Sequence, residues 1–226
     1  NLNGISVIWQ EYVKEVFGLN LNFKNAIGGN SQWHTDLVHE FQPAGITHLH
    51  NDAIPEVGGD TVWASGYAAY DKLSPALQQF LDGKTAIYRS AHAYINRENP
   101  LGGPKYIERE HPIIRTHPAT GWKTLAVNRA MTVRIVGLEK GESDAILEYL
   151  FSVFEKNLDI QVRFNWKNKT GLGTSAIWDN RISQHFAVFD HEGKEPRHGT
   201  RVTSLADVPH FDPASKSQRQ ALGLDL

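Results

Sequence analysis

Gln32-Trp33-His34-Thr35-Asp36 is the stretch on which the reading of this chain turns. Taken as a strand, it sends His34 and Asp36 to one face, because strand side chains alternate with a period of two. An imidazole and a carboxylate are thereby delivered together. One remote histidine, His185, completes two His and one carboxylate, the facial set that suits non-heme Fe(II) and leaves three adjacent coordination positions open. Eleven histidines allow many chance pairs, so the setting carries the weight. Trp178-Asp179-Asn180-Arg181 leads into His185, and Arg197 and Arg201 follow at a four-residue spacing.

Working outward, short β-rich or alternating runs occupy residues 5–9, 32–41, 45–50, 61–64, 85–94, 112–116, 124–128, 132–136, 161–166, 175–179, 185–189 and 199–203. Gly, Pro and Asn punctuate them. So many short strands predict a mainly β fold with flanking helices, a sandwich or jelly roll, over an alternating β/α one. Helical period is clear over 142–156, where Leu147, Leu150, Phe151 and Phe154 fall at i, i+3, i+4 and i+7. A shorter helical pair is expected at 67–73 and 75–81, with Ser74 as N-cap and Pro75 in the first turn. Residues 96–104 and 168–173 read as loops, 209–215 as another, and 219–226 as a fraying end.

At 226 residues the chain fits one domain, residues 1–226, with N-terminal or loop segments expected to be missing because no initiator Met is present. The hydrophobic content of 40% supplies a core, and a net charge of −2 gives no electrostatic case for nucleic acid or an anionic membrane. Zero cysteines exclude disulfides, thiolate metal sites and cysteine nucleophiles. No apolar run approaches the roughly 20 residues of a membrane span, so a cytoplasmic protein acting on a small molecule is expected. A homo-oligomer is left open. No GxSxG elbow, Walker loop or HExxH supports a hydrolase or nucleotide-binding reading.

Three blocks then carry a resemblance: WHTD at 33–36, PEVGGDTVWASGYAAYDKLS at 55–74, and IWDNRISQHFA at 177–187 with RHGTR at 197–201. With HPIIRTHPATGWKTLAVN at 111–128 they cover most of the chain in order, and the chain resembles the taurine dioxygenase family of Fe(II)- and 2-oxoglutarate-dependent oxygenases. The resemblance implies a double-stranded β-helix, a cupin-like jelly roll. It implies Fe(II) on His34, Asp36 and His185, with 2-oxoglutarate and O2 as co-substrates. It assigns Thr61 and Arg197 to the distal carboxylate of 2-oxoglutarate. The chemistry is sensible, since arginine offers a planar fork to a carboxylate and threonine one more donor. Arg201 corresponds to the family's second arginine, near the chelating end of the co-substrate and the anionic group of the substrate.

Asn30 matches a position whose backbone meets substrate in relatives, or else belongs to a Gly28-Gly29-Asn30 turn. His39 and Met131 stand where taurine-oxidising relatives carry aromatics, which implies a remodelled substrate pocket. The relatives' upstream HxH segment, source of a sulfonate-binding histidine, has no counterpart between residues 1 and 30. His48 and His50 align with a strand that carries no ligand in the family and are expected to be polar or pocket-lining. Trp33 is expected to pack, and Asn180 and Arg181 to fix strand and turn by hydrogen bonds. The implied activity is oxidation of an aliphatic C–H in a small anionic substrate, a taurine-like sulfonate or a sulfate ester, with release of succinate and CO2. The alternative is hydroxylation, desaturation or oxidative cyclisation of an amino-acid-derived metabolite. A binding protein without turnover is a third, weaker reading, because fold alone does not imply function.

Overall fold

A computed structural model describes residues 4–18, 33–90, 106–167, 171–191 and 195–224. In chain order these form β1 (Ser6–Ile8), α1 (Gln10–Phe17), β2 (Ala44–Ala53), β3 (Thr61–Ser65), α2 (Gly66–Asp71), α3 (Pro75–Leu81), β4 (Thr85–Arg89), β5 (Glu108–Pro112), β6 (Ile114–Thr116) and β7 (Lys123–Leu125). Then follow β8 (Thr132–Ile135), α4 (Lys140–Lys156), a 3-10 turn at Leu158–Ile160, β9 (Gln161–Phe164), β10 (Thr174–Asp179), β11 (Ser183–Ala187), β12 (His198–Leu205) and α5 (Gln218–Leu222).

The fold is a double-stranded β-helix of the cupin type, built on two principal sheets. One sheet runs β1-β12-β2-β10 and the other β11-β3-β9, with antiparallel pairing throughout. Alternation along β2 buries Thr47, Leu49 and Asn51 and turns His48 outward to solvent. Leu49 and Trp178 from the first sheet pack with Trp166 and with Trp63 and Phe164 of the second. This apolar contact holds the sheets face to face.

Smaller sheets, β5-β4-β8 and β6-β7, extend the body. The larger part of the core lies there, beneath α4. The stripe Leu147, Leu150, Phe151 and Phe154 is buried as its spacing requires, and truncating a residue such as Leu150, fully buried, to Ala costs about 2–5 kcal/mol. Ser65 and Ser74 cap α2 and α3 by accepting the amides of Ala68 and Leu77, which satisfies donors a helix start leaves free. A Cβ on Gly66 would stand 2.3 Å from Thr124 Oγ1 and 2.8 Å from Leu125 O. Only glycine lets α2 lie so close to β7.

The strand expected at 32–41 is not formed. His34 makes a single bridge to His185, and the chain then turns. Leu37 sits at φ 53° and Glu40 N bonds Leu37 O at 2.9 Å. A left-handed residue cannot continue a strand, so the ladder ends after one rung. Two elements were not foreseen as helices: α1, and α5, where Ser217 and Gln220 form a capping box at the end expected to fray. The loop expected at 96–104 lies outside the described residues.

Candidate active site

His34 reaches its place through paired backbone bonds to His185, His34 N to His185 O at 3.0 Å and His185 N to His34 O at 2.9 Å. The two rings therefore lie side by side, 4.3 Å between centroids. Asp36 returns to the same side two residues on, while Thr35 points away and donates to Ser183 O. Among the described residues these three are the single group of His, Asp or Glu with donor atoms gathered so closely, all within 4.8 Å of one another. His34 Nε2 and Asp36 Oδ1 are 3.9 Å apart.

The carboxylate is braced on both oxygens. Arg201 Nη1 donates to Asp36 Oδ1 at 3.0 Å, and Thr47 Oγ1 donates to Oδ2 at 3.2 Å. Asn180 stands behind this pair. Its Nδ2 donates to Thr47 Oγ1 at 2.7 Å and to Gly45 O at 2.9 Å, and its Oδ1 accepts from Trp178 Nε1 at 3.1 Å and from the Asp36 amide at 3.4 Å. Asn180 was expected to fix strand and turn by hydrogen bonds, and those bonds also reach the Asp36 amide and the Thr47 hydroxyl that holds its carboxylate. Thr47 was missed. Its inward position on β2 was legible from alternation, but its partner is 11 residues distant and set only by the turn after His34.

Burial pushes the Asp36 carboxyl up, but the charges around it, above all the permanent cation of Arg201, and the Thr47 hydrogen bond hold it below the usual carboxylate range. Burial pushes His185 down to about 3, with Arg201 and His34 adding to the effect against Asp36. His185 is therefore a neutral imidazole near pH 7 and contributes no lasting positive charge to Asp36. An ionised carboxylate beside a neutral buried imidazole is the state a divalent ion requires. Cis donors on an ion with bonds of about 2.1 Å lie about 3 Å apart, so the donor set fits such an ion after a small contraction.

A second cluster lies at the far end of β12. Arg197 Nε donates to Gly59 O at 3.0 Å and Nη2 to Thr61 Oγ1 at 3.3 Å, and the guanidinium lies 5.7 Å from the Trp166 ring centre. Trp166 Nε1 also donates to Thr61 Oγ1, at 3.0 Å. A hydroxyl that accepts twice has its own proton left to donate. Among the described residues no carboxylate lies within 4 Å of the Arg197 guanidinium. Burial pushes it down to about 10, opposed by Asp60, so it remains a cation at neutral pH. Gly199, between the two arginines, allows this geometry: a Cβ there would stand 2.2 Å from Asn51 Oδ1 and 2.4 Å from His50 O.

A cleft of about 310 Å³ opens beside Asp36, lined by Arg201, Thr203, Leu37 and residues Gly4 to Ser6. His39 and Met131 do not line it. Met131 belongs to the core beneath α4 and His39 is buried with Nε2 3.8 Å from Glu40. Asn30 lies outside the described residues. His48 is exposed and His50 bonds Ser175 Oγ at 2.9 Å, and neither lines the cleft beside Asp36. Trp33 packs edge-on against Phe186 at 4.6 Å.

A jelly roll that gathers two histidines and an aspartate, with an arginine and threonine pair farther along, carries the donor set that suits non-heme iron. The family model for taurine catabolism dioxygenases, the TauD, TfdA family, matches residues 10–203, and the chain belongs to that family. An alpha-ketoglutarate-dependent dioxygenase of Aspergillus oryzae is 38% identical over 202 residues, covering 84% of this chain and 58% of its own length. An alpha-ketoglutarate-dependent sulfonate dioxygenase of Saccharomyces cerevisiae is 38% identical over 183 residues, covering 80% and 43%. An alpha-ketoglutarate-dependent sulfate ester dioxygenase of Pseudomonas putida is 34% identical over 195 residues, covering 79% and 61%. A crystal structure of a taurine dioxygenase from Burkholderia xenovorans superposes with TM-score 0.72 at 31% identity, covering 94% of this chain and 65% of that one. The chain thus spans about half the length of the curated relatives it matches. Among the described residues no helix is long and apolar enough to cross a membrane.

Proposed function

We propose that this chain is the catalytic domain of an Fe(II)- and 2-oxoglutarate-dependent dioxygenase that oxidises an aliphatic C–H of a small organic anion, a sulfonate or a sulfate ester. The observation that carries the reading is the convergence of His34, Asp36 and His185 within 4.8 Å. His34, Asp36 and His185 would hold Fe(II). When bound, the metal and co-substrate supply the activation of O2 for C–H oxidation, with 2-oxoglutarate leaving as succinate and CO2.

The remaining work falls to the chain. Arg201, Thr47 and Asn180 hold Asp36 ionised and fix its orientation, so binding the ion needs little rearrangement. Arg197 and the free proton of Thr61 form a receptor for the distal carboxylate of the 2-oxo acid. Arg201 borders the cleft, and its Nε has no hydrogen-bond partner. That group can donate to an anionic ligand while Nη1 keeps Asp36 in place. Trp178, 4.8 Å from the His185 ring, and Trp63 behind it exclude water from one side. The sulfonate and sulfate ester relatives support this choice of substrate class.

Two measurements test the reading. Anaerobic addition of Fe(II) and 2-oxoglutarate is expected to give a visible metal-to-ligand charge-transfer band, and succinate should form in air only with an accepted substrate, with His34→Ala as the blank. A panel of sulfonates, sulfate esters and amino acids then locates the substrate. Sulfite release from a sulfonate supports the proposed class, whereas succinate coupled to an amino acid alone rejects it.

A further inference from the structure

Behind the Asp36 network lies a separate cavity of about 30 Å³, room for one or two water-sized particles. Its walls include Arg115, Thr124, Thr35, Asn180, Arg181 and Asp207. Arg115 and Thr124 are cross-strand partners on β6 and β7, so their side chains leave the same face of that two-stranded sheet. Both are deeply buried, 7% and 1% exposed. Arg115 Nη2 and Thr124 Oγ1 are each buried without a hydrogen-bond partner.

The charges around the cavity do not balance. Arg181 is matched, by Asp179 at 2.7 Å and Asp207 at 3.5 Å. Arg115 is not. Its Nε donates to Pro112 O at 3.2 Å, and its guanidinium hydrogen-bonds the Tyr88 hydroxyl, a neutral partner, with the ring centre 5.2 Å away. Among the described residues no carboxylate comes within 4 Å of it. Burial, with the Arg115 charge second, pushes nearby His111 down to about 4, so His111 is neutral. A buried, unpaired cation is among the costliest features a fold can carry, and it is normally relieved by a counter-charge. Water would satisfy the two orphaned hydrogen-bond groups but would leave the charge uncompensated.

We propose that this cavity binds a monovalent inorganic anion of chloride size, held by Arg115 Nη2 and Thr124 Oγ1. The site is independent of the substrate cleft and of the reading given above. It shares one wall with the active site through Asn180.

The test uses the full chain. Crystals grown or soaked in bromide should show an anomalous peak within hydrogen-bonding distance of both atoms. In solution, chloride should raise the melting temperature saturably over gluconate at equal ionic strength. Thr124→Val, nearly isosteric, should raise the half-saturating chloride concentration about tenfold, the loss of one hydrogen bond to a charged ligand. Arg115→Met should abolish the response; should that variant fail to fold, Thr124→Val and the bromide map decide. Absence of a bromide peak, with only water between the two atoms, overturns the proposal, as does a chloride response unchanged in Thr124→Val.

Discussion

The clusters around Asp36 and around Arg197 treat charge in opposite ways. Around Asp36 the carboxylate is answered from within the chain by Arg201 and Thr47, with Asn180 behind them. Around Arg197 the cation meets a carbonyl, a hydroxyl and an indole face, none of which carries a charge. The first is a cradle whose geometry is set before any ligand arrives. The second is a buried cation whose near contacts are all neutral, which we propose receives an anion. The contrast separates positioning from binding, and each can be perturbed without the other.

His185→Ala makes the largest perturbation, because it removes a donor from the cradle. Fe(II) retention measured by equilibrium dialysis should fall to background, and succinate formation with it, while the Arg197 cluster is untouched. Arg197→Met should do the reverse. Fe(II) retention should persist while the KM for 2-oxoglutarate rises about a hundredfold, close to 2.8 kcal/mol. Loss of metal in that variant would mean that the two clusters are not separate.

Asn180→Ala should have an intermediate effect, lowering Fe(II) affinity about 10–100-fold with the ligands intact. An unchanged affinity would show that Arg201 and Thr47 suffice to orient Asp36. The pH dependence of the metal-free protein gives the smallest signal. His185 is neutral in the fold down to about pH 3, whereas in the unfolded chain it takes up a proton near pH 6.5. Stability should therefore fall as pH drops from about 6.5 toward 3. His185→Gln should flatten the slope by about 1.7 kcal/mol between pH 6.5 and 5, or about 3–7 °C in melting temperature. Arg197, charged throughout that range, should contribute nothing to it.

Much of this was legible in the sequence because local rules govern it. The stripe on α4, the Ser74-Pro75 start of α3 and the inward face of β2 follow from periodicity and capping. His34, Asp36 and His185 were singled out from residue type and the blocks around them, and the fold brings their donor atoms within 4.8 Å of one another. The failure at 32–41 is instructive: alternation of His34 and Asp36 suggested a strand, yet Leu37 at φ 53° ends it, and nothing in the local sequence marks Leu37 as left-handed. His39 and Met131 were expected at the substrate; both are buried, and neither lines the cleft beside Asp36. Position in an aligned block does not specify where a side chain points once the chain has turned.

By itself, the sequence determined which groups are available for chemistry: two imidazoles and a carboxylate in the quoted blocks, two arginines four residues apart, and no thiol to compete. Residue type and short-range spacing are local properties, and they survive without knowledge of the fold. Only the tertiary structure decided which of those charges are answered and which are left open. Arg201 and Asp36 are 165 residues apart along the chain and are brought together by the fold, while among the described residues no carboxylate comes within 4 Å of the Arg115 or Arg197 guanidinium. Whether a charge is compensated depends on what other segments bring within a few ångströms in a medium of low dielectric.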